Sequence, residues 1–88
     1  MNAPRKRGPA RHGSMDREER ELRRRLAASV AHYRAALGLT VEAAAERADL
    51  DRRHWQKVEA GETNATLRTL GRLTRALGVE VRRLFDQA

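Results

Sequence analysis

DRRHWQKVEAG, residues 51–61, holds three cations and the only tryptophan of the chain. How this stretch is rotated decides the fold. With about 100° per residue from Arg52 at zero, Val58 falls at about 240° and Trp55 at about 300°, so the apolar side is centred at about 270°. Arg52, Gln56, Ala60, Arg53 and Lys57 fall between about 0° and 140°, on the opposite side. The segment therefore reads as one helix with an indole and a valine turned inward and three cations and an amide turned outward. The phase of Trp55 makes it a core residue rather than a base-stacking one. Nothing acidic interrupts the outer face in sequence. Arg and Gln are the side chains that make bidentate contacts with guanine and adenine edges. A charged outer face is nonetheless ordinary for any surface helix, so the face alone leaves solvation and recognition equally open.

The neighbouring residues favour recognition. Thr40 has the position of a cap for VEAAAERA, residues 41–48, with Glu42 in the first turn where the helix dipole favours a carboxylate. Ala48-Asp49-Leu50 makes a tight turn, in which Asp49 tolerates the left-handed conformation, and Asp51 caps the next helix. A short helix, a tight turn and a second helix with a cationic outer face form a helix-turn-helix, whose first helix braces the second in the major groove.

Upstream, Asp16 and Glu19 have capping-box spacing, and Leu22, Leu26, Val30, Tyr33 and Leu37 form the apolar face of a long helix. Glu19–Arg23 and Glu21–Arg25 lie four apart in the favourable order, and Gly38 supplies the left-handed end. Downstream, Thr66 caps a fourth helix with Leu67, Leu70, Leu73 and Leu77 apolar, ended by Gly78. Val79 to Phe85 makes a last short helix that carries Val81, Leu84 and Phe85 to the core. There is no strand pattern and no internal repeat. The expectation is an all-α, compact five-helix domain over residues 16–88, preceded by a flexible basic arm over residues 1–15.

Composition narrows the function. Eighty-eight residues allow one small domain, and 3% aromatics leave Leu, Val and Ala to build its core. The absence of cysteine excludes disulfides and thiolate zinc sites, and fits a reducing cytoplasm. No apolar run approaches the length of a membrane span, and no apolar segment follows the basic N-terminus as in a secretory signal. His12, His32 and His54 are scattered without metal-ligand spacing, and no nucleophile–base set, phosphate loop or acid pair occurs. Neither an enzyme nor a cofactor or metal is expected. The formal charge is +7, of which Arg5, Lys6, Arg7 and Arg11 supply +4, leaving +3 for residues 15–88. That balance suggests a polyanionic partner, most often nucleic acid. The arm either enters a groove or follows phosphates, or is a solubilising tail.

The run LGLTVEAAAERADLDRRHWQKVEAGETNATLRTLGRLTRALGVEVRRLF, residues 37–85, resembles the phage-repressor (Cro-type, XRE) helix-turn-helix family. The likeness extends from Leu22 to Phe85. It rests on the family's LGLS-x-E-x-x-A-x-x-A opening, met here with Thr40 at the serine position, its I/V-E-x-G end to the third helix, and its L-x-x-L-x-x-L-x-x-ALGV-x-x-x-x-LF tail. The resemblance implies that Arg52, Arg53 and Lys57 are base-reading positions with Gln56 close by, and that Thr40, Thr63 and Asn64 lie near phosphates. It also implies a structural ion pair between Arg34 and Glu59. The chain departs from the family in four places: Val41 stands for the usual Gln, Ala44 for Leu, Asp49 for the turn glycine, and Trp55 where Ile is common. These departures bear on affinity more than on fold.

The combined expectation is a sequence-specific regulator that binds double-stranded DNA, acts as a cytoplasmic, nucleoid-associated repressor, and forms a homodimer at least on DNA. Two other readings stay open at this point. One is the antitoxin of a toxin–antitoxin pair, with a small protein partner; the other is a protein-interaction module that does not bind DNA.

Overall fold

The computed structural model describes residues 16–87. Those residues form four α-helices and a terminal 3-10 helix, and no strand occurs among them. The helices are α1 (Arg17–Ala36), α2 (Val41–Ala48), α3 (Arg52–Glu59) and α4 (Leu67–Leu77), followed by the 3-10 helix Val81–Phe85. The fifth element thus has three residues per turn rather than an α-helical pitch, as short terminal helices often do. The basic arm falls outside the described residues.

Each α-helix begins on the same device. Asp16, Thr40, Asp51 and Thr66 are extended, and each side-chain oxygen accepts the backbone N–H three residues on. One otherwise orphaned donor is satisfied at each helix start. In α1 the Glu19 carboxylate takes hydrogen bonds from Arg23, so the first turn is braced forward along the helix. Two tight stops set the helix-turn-helix geometry. Asp49 (φ 57°, ψ 41°) ends α2 in the left-handed conformation that the turn into α3 requires. Gly61 (φ 74°) ends the run after α3, where any L side chain would be strained.

The core lies where α1, α3, α4 and the 3-10 helix meet, with α2 packed on α3 and α4. Leu26 and Val30 of α1, Ala44, Ala45 and Ala48 of α2, Trp55 and Val58 of α3, Leu73, Ala76 and Leu77 of α4, and Leu84 are buried. The three alanines let α2 approach its neighbours closely, and Trp55, fully buried, supplies the largest side chain inside.

Several leucines expected inside are not. Leu67 is 85% exposed. Steps of three fall about 60° short of a full turn, so Leu67 lies about 120° around α4 from Leu73. Val81 is 54% exposed while Leu84, one 3-10 turn later, is fully buried. Leu22 and Leu37, at the two ends of the α1 stripe, are each about half exposed because the core is shorter than the helix.

The C-terminal end is clamped onto α1. The Gln87 backbone N–H donates to the buried Ser29 Oγ (3.0 Å), and the Tyr33 hydroxyl donates to Asp86 Oδ2 (2.8 Å). Burial works against the charge on Asp86, but hydrogen bonds from Tyr33, Arg83 and Gln87 outweigh it and hold the carboxyl below its ordinary pKa.

Candidate nucleic-acid interface

Two turns of α3 separate the molecule's inside from its outside. Trp55 and Val58 face the core, while Arg52, Arg53, Gln56 and Lys57 are all exposed. Arg52, Arg53 and Gln56 share one open concavity with Asp51. Arg53 and Lys57 share a second with Thr63 and Asn64 from the loop between α3 and α4. Arg53 therefore links the two, and the loop residues join the α3 face although they lie six or more residues beyond Lys57. Thr40 stands apart from both concavities, with its Oγ1 accepting the Ala43 N–H (3.0 Å) as the α2 cap. Arg5, Lys6, Arg7 and Arg11 lie outside the described residues.

The inward flank of α3 ends on a charged network. Glu59 accepts hydrogen bonds from Arg34 Nε (2.5 Å) and Nη2 (3.1 Å) and from the Trp55 indole Nε1 (2.7 Å). Arg34 Nη1 also donates to the Leu39 carbonyl (2.8 Å), which ties the end of α1, the loop before α2 and the end of α3 together. The hydrogen bond to Glu59 raises the Arg34 pKa further, against the opposing effect of burial. An acidic residue close to a cationic face is thereby turned inward and neutralised.

Other contacts that orient α3 were missed in the sequence. Arg72 of α4 reaches the turn, donating from Nη1 to the Asp49 carbonyl (3.2 Å), and Arg47 of α2 donates to the Ala76 carbonyl (3.2 Å). Glu42, assigned above only to the helix dipole, forms an ion pair with Arg52 across the turn (3.1 Å). The outer face is therefore bordered by acid in space, contrary to its appearance in sequence. Trp55–Glu59, at i and i+4, carried a readable signal; the partners of Arg72 and Glu42 did not.

Two short helices joined by a tight turn, the second buried on one side and cationic on the other, define a helix-turn-helix DNA-binding domain. The family model described as helix-turn-helix domain matches residues 20–86, and the chain belongs to that family. It is a DNA-binding regulator of the phage-repressor (XRE) type. The fold is similar to the restriction-modification controller protein C.AhdI from Aeromonas hydrophila, at 33% identity and TM-score 0.69, over 72% of this chain and 96% of that one. A hypothetical transcription factor, NHTF, from Neisseria is 31% identical with TM-score 0.71, over 76% of this chain and 75% of that one. The clp gene regulator ClgR from C. glutamicum is 27% identical with TM-score 0.66, over 72% of this chain and 82% of that one. No curated protein matches. Among the described residues, no helix is long and apolar enough to cross a membrane.

Proposed function

We propose that this chain is a sequence-specific repressor that reads the major groove of duplex DNA with the outer face of α3. Arg52, Arg53, Gln56 and Lys57 read base edges, while Thr40, Thr63 and Asn64 approach phosphates. The observation that carries this reading is the division of α3, whose apolar residues are spent on the core while its exposed residues are cationic or amide-bearing. Each protomer covers one half-site, and a twofold homodimer spans two half-sites about one helical turn apart. Occupying an operator on the nucleoid, in the cytoplasm, blocks transcription. The arm, residues 1–15, adds Arg5, Lys6, Arg7 and Arg11 as sequence-independent phosphate contacts outside the helical domain.

The likeness to C.AhdI favours a narrower second reading, in which the chain controls the genes of a restriction-modification pair. Both readings share one primary test. Affinity for duplex DNA is measured against salt, with and without residues 1–14. Each neutralised phosphate contributes about −0.9 to the log–log slope, so the full chain gives a steep slope and the truncated one a shallower slope and weaker binding. A flat response in the full chain overturns DNA binding, and an unchanged slope after truncation overturns the role of the arm. Binding to DNA flanking restriction-modification genes separates the two readings.

A further inference from the structure

The pair between Arg52 and Glu42 has a geometry that a stability role does not explain. The two side chains are 61% and 63% exposed, so little of the pair is withdrawn from water, and α2 and α3 already pack on each other through buried alanines, with the turn between them tied to α4 by Arg72. The contact instead gives direction to an otherwise free side chain. Glu42 Oε2 approaches Arg52 at Nε, 3.1 Å away. The attraction at Nε is that of an ion pair rather than an aligned hydrogen bond. It still favours side-chain positions in which the two terminal nitrogens point away from Glu42 as a fork, and that fork matches the O6 and N7 acceptors of guanine. The concavity that Arg52 lines with Asp51, Arg53 and Gln56 is open to receive such an edge.

We propose that Glu42 is a positioning residue for Arg52, and that the pair makes guanine the base read at the N-terminal end of α3. This inference rests on the reading of α3 as the DNA-recognition helix. It carries a signature that a fold-stabilising residue lacks. Glu42 has the charge sign of phosphate, so it weakens attraction to any duplex while sharpening the choice of one base. Removing the charge moves the two properties in opposite directions, whereas loss of folded protein lowers both.

The test is enrichment of bound duplexes from a random pool by the wild-type chain and by Arg52→Ala, Arg53→Ala, Glu42→Gln and Glu42→Asp variants. Affinity for a random-sequence duplex is measured in parallel. Wild type selects guanine at one position of each half-site, and Arg52→Ala loses that preference. Glu42→Gln keeps the rest of the motif, weakens the preference for that guanine at least about threefold, and binds random-sequence duplex more tightly. Glu42→Asp, which keeps the carboxylate, restores part of the preference. If Arg52→Ala loses the guanine and Glu42→Gln does not, Glu42 has no positioning role and the inference is overturned, with the reading of α3 intact. If neither Arg52→Ala nor Arg53→Ala alters the selected motif, the reading of α3 itself fails and the inference falls with it.

Discussion

Replacing Glu59 by alanine tests what holds the recognition helix in place. The substitution removes the acceptor for three hydrogen bonds, two from Arg34 and one from the Trp55 indole. Trp55 is fully buried, so its N–H is left without the carboxylate and without water, at a cost of about 1–3 kcal/mol. Breaking a fully buried ion pair costs about 3–5 kcal/mol. The Arg34 side chain keeps 21% of its exposure to water and retains the Leu39 carbonyl, so its share stays below that range. Together the change comes to about 2–4 kcal/mol, a large part of the roughly 5–15 kcal/mol available to a small domain. For a chain of this size that lowers Tm by about 10–30 °C.

The assay is thermal unfolding followed by circular dichroism and by the fluorescence of the single tryptophan, whose surroundings change with the substitution. Glu59→Gln leaves an acceptor for the indole but faces an amide toward the guanidinium, and falls between wild type and alanine. Trp55→Phe, followed by circular dichroism alone because it removes the only tryptophan, loses the N–H donor together with part of the buried ring volume, and so sets an upper bound on that component. A Tm for Glu59→Ala within about 4 °C of wild type would refute the reasoning, because it would mean that water already serves these groups.

Three further outcomes follow. Arg53→Ala costs about 1–3 kcal/mol on the preferred sequence and relaxes the choice at one base position, measured by competition among single-base operator variants. Asp51→Ala removes the carboxylate that accepts the His54 N–H (2.7 Å) and lowers stability by about 1 kcal/mol in denaturant titration. The third concerns acid. Because the fold holds Asp86 below its ordinary pKa of 3.8, its ionised form adds stability above that pH and loses it as pH falls through the lowered value. Asp86→Asn is therefore less stable than wild type at neutral pH, and the gap between their urea midpoints closes in acid.

What the sequence made legible is local. Each helix cap connects residues three apart, and the rotation of α3 follows from the phase of Trp55 and Val58 alone. Spacing misled where a rule was carried past its range. Three-residue steps in α4 counted Leu67 as apolar face although it has rotated out of the core, and the terminal segment took a tighter pitch than α-helical reasoning supplies. The remaining features join residues far apart in the chain. Arg72 and Asp49 are 23 residues apart, so no periodicity reaches them, and the Arg34–Glu59 pair, 25 apart, was reached only through the family resemblance. Glu42 and Arg52 are brought together only by the left-handed turn at Asp49, which changes the direction of the chain between them.

Those distant contacts explain how eight residues serve both core and interface. Base readout requires the Cα positions of α3 to be fixed, since a bidentate contact tolerates little displacement. The helix is pinned at its start by the Asp51 cap, along its inner side by Trp55 and Val58, at its end by Arg34 acting on Glu59, and through its preceding turn by Arg72. Of these groups only Asp51 borders the outer face, where it lines the concavity with Arg52, Arg53 and Gln56. Inner substitutions accordingly lower stability while leaving the choice of base unchanged in the protein that remains folded. Outer substitutions at Arg53, Gln56 or Lys57 change the choice of base with Tm nearly unmoved. Among the described residues, Arg52 is the outer residue that forms an ion pair with a second helix, so on the proposed reading of Glu42 recognition at that position depends on α2 as well as α3.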